Sequence, residues 1–200
     1  MTYGEMKDLV LQLLNQYSVA GEQVPLSYNG QQDLVARIPA LTRDGLYYVT
    51  TTARRLRDVA VLAQPKELGG MLVYDLPKNC FQVAGGLLRI KPDGSVSRCR
   101  DYLVLGGRQL LLAKNLEGRW LVEYFRYPSV PTGVPANDAE LDCPPEAQTA
   151  VAYYVAAHLA MEDDQYLHGA LYNEFEMKMA RLQEGTVLEC GVTEDVFAYG

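Results

Sequence analysis

Apolar residues recur at helical spacing at the start of the chain. Met6, Leu9, Val10, Leu13, Leu14 and Tyr17 share one stripe while Glu5, Lys7, Asp8, Gln12 and Gln16 lie off it, which predicts an amphipathic helix after Thr2. Residues 21–30, with Pro25 and Asn29-Gly30, predict a loop. Residues 31–61 return to a helical pattern through Leu34, Ile38, Leu41, Gly45, Tyr48, Val49, Thr52, Leu56 and Val59. Pro39 and Asp44-Gly45 inside that pattern predict a kink or two shorter helices. The same period comes back near the end of the chain. Pro144 and Pro145 suit a first turn, and Glu146 places a negative charge at the positive end of the helix dipole. Val151, Tyr154, Val155, His158 and Leu159 then form an apolar face, broken by Glu162-Asp163-Asp164, whose aspartates can cap a second helix. In that helix Leu167, Leu171, Phe175, Met179 and Leu182 line one side, Asn173, Glu174, Lys178 and Arg181 the other, and Gly185 is expected to close it.

Between these helical regions the pattern changes to short runs of Val, Ile, Leu, Tyr and Phe punctuated by Pro77, Gly85-Gly86, Pro92-Asp93-Gly94, Gly106-Gly107 and Gly118. Strands are predicted at residues 72–75, 80–84, 87–91, 96–105, 109–113 and 119–127, with the glycine pairs as turns. In the last run Trp120, Val122, Tyr124 and Arg126 alternate with Leu121, Glu123, Phe125 and Tyr127, one face apolar and one mixed. The fold class is therefore α+β. A helical domain formed by residues 1–66 and 143–183 carries an inserted antiparallel β domain at 71–128, a linker at 129–142 and an extended C-terminal arm at 184–200.

Composition narrows the functional classes. The chain has 200 residues, a net charge of −7 and 48% hydrophobic residues, an ordinary content for a globular core, and its acidity argues against a surface that grips nucleic acid throughout. The absence of a run of eighteen apolar residues and of a basic-then-apolar leader predicts neither a membrane span nor a signal peptide, hence a cytoplasmic origin. Cys80, Cys99, Cys143 and Cys190 are widely spaced, which favours free thiols over a disulfide frame or a zinc site. His158 and His168 fit core residues with satisfied nitrogens better than ligands, and Glu162, Asp163 and Asp164 fit capping better than a divalent cation site. The glycine pairs match neither a P-loop nor a dinucleotide fingerprint, and no nucleophile elbow, zinc motif or carboxylate pair is present. These residues favour assembly over catalysis. Arg54-Arg55-x-Arg57 fits either a solvated helix end or contact with an acidic partner or nucleic acid. Fourteen tyrosines, with Tyr47-Tyr48 and Tyr153-Tyr154 adjacent, suit surfaces buried on one side and wet on the other. Residues 184–200 lack helical period yet hold Val187, Leu188, Val192, Val196, Phe197 and Tyr199, which suits an arm that docks on a neighbour.

Four segments resemble a known family. The β region is introduced by Leu76-Pro77-Lys78-Asn79-Cys80-Phe81 and ends on Val122-Glu123-Tyr124 with Pro128. Pro145-Glu146-Ala147 and Tyr153-Tyr154-Val155-Ala156-Ala157-His158-Leu159 follow. In this order they resemble the head–tail adaptor (connector) proteins of tailed phages, most of all adaptor-like proteins of Gram-positive phages and prophages, and more distantly the podovirus tail tubular protein A architecture. The likeness covers residues 1–182. It implies a virion neck protein, made in the host cytoplasm, that forms a homo-oligomeric ring of twelve copies beneath the portal protein. Such a ring extends the DNA channel, lets genomic DNA pass without specific binding, and offers its other face to the tail or a stopper protein. It implies no catalytic residue, metal or cofactor. On this likeness Val187, Leu188, Val192, Val196, Phe197 and Tyr199 become portal contacts, and Arg54, Arg55 and Arg57 contacts to a neighbouring subunit or to the DNA channel. The alternatives are another tail-completion or neck protein, and a small metal-dependent cytoplasmic enzyme built on Glu162, Asp163, Asp164 and the histidines.

Overall fold

Thr2 opens the first helix with a reciprocal cap. Its hydroxyl accepts from the Glu5 amide at 3.2 Å while the Glu5 carboxylate accepts from the Thr2 amide at 2.8 Å. The computed structural model describes residues 1–14, 28–91, 93–116, 118–130 and 133–189, with backbone alone for 28–31 and 184–189. Among the described residues four α-helices and eight strands make an α+β fold: α1 (Tyr3–Leu13), α2 (Tyr28–Thr52), β1 (Leu56–Val61), β2 (Lys66–Leu68), β3 (Met71–Asp75), β4 (Cys80–Ile90), β5 (Val96–Cys99), β6 (Leu103–Leu105), β7 (Gln109–Ala113), β8 (Arg119–Arg126), α3 (Gln148–Ala160) and α4 (Gln165–Glu189). The chain divides into two compact units, Met1–Arg54 with Pro128–Gly200 and Arg55–Tyr127. No described helix is long and apolar enough to cross a membrane.

In the helical unit α3 is the centre. It packs against α1, α2 and α4, and Ala150, Val151, Ala152, Val155, Ala156, Ala157, Leu159 and Ala160 are all buried. The expected single apolar face is thus only part of a helix buried nearly all round, its alanines allowing neighbours to approach closely. Met6 and Val10 of α1, Ile38, Leu46 and Val49 of α2, and Leu171, Phe175 and Met179 of α4 complete the core. Gly45 lets α2 come close to α3, since a Cβ there would lie 2.9 Å from the Tyr154 ring and 3.3 Å from Val151. The stretch 129–142, read from sequence as a linker, takes part in this unit. The Tyr3 and Gly4 amides at the start of α1 donate to the Ala139 and Asn137 carbonyls, both at 2.8 Å.

The β unit holds two four-stranded antiparallel sheets, ordered β1-β8-β4-β5 and β2-β3-β7-β6. Both contribute to one core, through Leu87, Trp120, Val122 and Tyr124 from the first and Leu72, Tyr74, Leu110 and Leu112 from the second.

Several boundaries differ from the sequence expectation. The helical pattern read to Val61 ends at Thr52. Residues 56–61 form β1, half-buried Leu56, Asp58 and Ala60 alternating with exposed Arg57, Val59 and Val61. Pro39 lies inside one continuous α2 rather than between two helices. Gly85-Gly86 is not a turn. It lies within β4, where the pairing with β8 shifts register and Gly86 takes φ +103°. The run 96–105 splits into β5 and β6, which belong to different sheets, because polar Arg100-Asp101 interrupts the apolar pattern. At the other end α4 does not stop at Gly185 but runs to Glu189, so the first six residues of the expected extended arm are helical. A glycine inside a helix costs about 1 kcal/mol, too little to end one that is otherwise held.

Candidate interaction surfaces

The three arginines singled out from sequence separate into different settings. Arg54 follows α2 in the helical unit, and its Nε donates to Glu146 Oε1 at 2.7 Å. That hydrogen bond holds the Glu146 carboxyl below its ordinary range. Arg55 and Arg57 flank the start of β1 in the β unit, at a strand and not, as expected, at a helix end. Their guanidinium carbons lie 5.1 and 5.7 Å from the centroid of the Phe125 ring. Arg55 also donates to Gln82 Oε1 at 3.2 Å, and Arg57 lies 3.8 Å from Glu123 Oε1.

Of the residues assigned to a portal contact, Val187 and Leu188 belong to the backbone of α4, and Val192, Val196, Phe197 and Tyr199 lie outside the described residues. The histidines are held by main-chain acceptors. His158 Nδ1 donates to the Tyr154 carbonyl and His168 Nδ1 to the Ala157 carbonyl, each at 2.8 Å, which places the proton of each ring on Nδ1. In the turn between α3 and α4, Glu162 takes a two-pronged contact from Arg37 at 3.1 and 3.2 Å, and Asp164 accepts from the Leu167 amide at 2.9 Å, a helix cap. Among the described residues no group of three His, Cys, Asp or Glu is arranged to hold a metal ion. Cys80, Cys99 and Cys143 are free thiols, and Cys190 lies outside the described residues. Burial, with repulsion from Glu146 and Asp142, pushes the Cys143 thiol up to about 12.

The sequence reading already set Leu121, Glu123, Phe125 and Tyr127 on one mixed face of the last strand, which is the outer side of the first sheet, but it missed the outer face of the second. Inward Leu72, Tyr74, Leu110 and Leu112 turn Met71, Val73, Leu111 and Ala113 to the other face, where Val73 is itself buried. The register then sets Leu68 beside Met71, and Leu103 beside Leu111. Leu105 faces the same way opposite Gln109, and Lys66 opposite Val73 donates to Asp75 at 3.4 Å on this face, so apolar groups flank one ion pair and Gln109. Leu68, Leu103 and Leu105 are 72%, 65% and 60% exposed on the two edge strands. The outer face of the first sheet is mixed, with Val59, Val61, Leu88 and Leu121 beside Arg57, Arg98, Glu123 and Phe125. The strand periodicity of residues 103–105 and 56–61 was the available signal for both faces.

Charge is divided as unevenly as apolar surface. Residues 55–127 contain twelve of the eighteen Lys and Arg but seven of the twenty-five Asp and Glu, a net charge of +5. The remainder contains six against eighteen, a net charge of −12. Neither a family model nor a curated protein matches the chain.

Proposed function

We propose that this chain is a structural subunit of a tailed-phage particle, an adaptor that joins a ring beneath the portal, extends the DNA channel and docks the tail. The observation that carries the reading is the set of exposed leucines on the outer face of the sheet β2-β3-β7-β6. A monomeric protein that spends its life in water seldom leaves leucines exposed on both edge strands of one sheet, and such a surface suits burial against a partner. The order of elements supports the same reading, a helical unit made from both ends of the chain with a β unit between them. So does the charge division. The −12 helical unit repels DNA phosphates and suits the wall of a channel through which a genome slides.

In this arrangement α1 to α4 form the wedge repeated around the ring through heterologous contacts, in which one surface meets a different surface on the next copy. The β unit faces the tail or stopper, and the segment beyond α4 reaches the portal. Replacing Leu103 and Leu105 by lysine tests the carrying observation. The double variant is expected to remain folded, with an unchanged circular-dichroism melt, and to fail to enter complete particles in a complementation assay. Normal particle yield from the variant contradicts the assignment of this face.

A further inference from the structure

The net charge of −7 argues against nucleic-acid binding for the chain as a whole, but the β unit taken alone is cationic. On the outer face of the sheet β1-β8-β4-β5 its arginines are organised around aromatic rings. Phe125 lies opposite Arg57 on one side and Gln82 on the other, with the Arg55 and Arg57 guanidinium groups both over its ring. Phe81 lies 6.1 Å from Phe125 and 5.1 Å from Tyr127, centroid to centroid, and Tyr127 is 40% exposed. Arg98, exposed on β5 opposite Leu88, extends the row. Glu123 provides a carboxylate within it.

We infer that this face binds single-stranded nucleic acid, the arginines taking backbone phosphates and the exposed Tyr127 ring, backed by Phe81, stacking on a base. A guanidinium laid on a ring loses little further freedom on binding and keeps its N–H edge for a two-pronged phosphate contact. Ring faces accept any base, which gives affinity without sequence preference, and they need unstacked bases, which favours a single strand over a duplex. An acidic protein segment would meet the same charge but has no use for the rings. The −12 remainder of the chain repels a polyanion and so confines it to this unit. The inference stands apart from the ring reading, because a subunit that never joins a portal still carries this face.

The test is fluorescence anisotropy of a labelled single strand of about 15 nucleotides with the full-length chain at low salt, long enough for the site sizes of such surfaces. Three phosphate contacts predict a log–log salt slope of about −2 for the wild type. Arg55→Gln, Arg57→Gln and Arg98→Gln are each expected to flatten that slope by about 0.7. Tyr127→Ala is expected to weaken binding on the order of tenfold with the slope unchanged, a split that a charge effect alone does not produce. The wild-type salt titration needs no variant and decides the matter even where a substitution unfolds the protein. Absence of binding at low salt overturns the inference, as does a triple arginine variant that binds with the wild-type slope. A wild type that ignores the oligonucleotide, with self-association that the arginine variants lose, also overturns it and gives the face to an acidic protein partner.

Discussion

Cys143 is buried beside Glu146 and Asp142, and its thiol is pushed from 9.0 up to about 12. The folded value lies above the unfolded one, so the associated stabilisation is complete below pH 9 and is lost as the pH climbs from 9 towards 12, by about 1.4 kcal/mol for each unit. Denaturant titrations at about pH 8 and about pH 10.5 are expected to show this loss, and Cys143→Ala to remove that part of the pH dependence. The same loss in the variant would show that the thiol is not its source. At this scale the sequence was partly legible. The cap by Asp164 follows from residue type, and Cys143 was expected as a free thiol. The roles of the arginines were not. Arg54, Arg55 and Arg57 look alike in a row, yet Glu146 lies 92 positions from Arg54 and Phe125 lies 68 from Arg57, and such partners are chosen by the fold alone.

Among the elements, α3 sets the packing of the helical unit. Phe175 of α4 meets Tyr154 of α3 at 5.4 Å between ring centroids and Tyr48 of α2 at 5.8 Å. Phe175→Ala is expected to cost about 3–5 kcal/mol in a denaturant melt. Gly45→Leu, which overfills the close approach of α2 to α3, is expected to cost about 1–3 kcal/mol. Values below 1 kcal/mol for both would contradict a tightly packed three-helix contact. The helices were legible because their apolar residues repeat over many turns. Their ends were less so. Leu56 and Val59 are three apart and prolong a helical pattern, while Leu56, Asp58 and Ala60 alternate with more exposed neighbours as a strand requires. Six residues do not distinguish the two periods, and pairing of β1 with β8 decides the matter. Gly185 read as a helix end because glycine is common there, but it carries no obligation to stop. A truncation meant to remove only the segment beyond α4 therefore belongs after Glu189, not at Gly185.

Over the whole molecule, two properties invisible in averages become clear once the chain is divided. The modest net charge is the sum of a −12 helical unit and a +5 β unit, and the ordinary hydrophobic content includes leucines left exposed on both edges of one sheet. The α+β class and the insertion of strands between helices were legible, because the hydrophobic period switches twice along the chain. The mixed outer side of β8 was legible from its alternation, but the outer face of the sheet β2-β3-β7-β6 was not, since it depends on which strands pair and in what register. Both properties suit a protein completed by its partners, which is the central claim. Mass photometry of the purified chain, alone and mixed with a portal protein encoded beside it, tests it most directly. The account predicts that the mixture gains a discrete species, heavier than the portal by a fixed whole number of subunits, twelve for a ring of the expected symmetry. A portal whose mass stays unchanged at saturating subunit would contradict it.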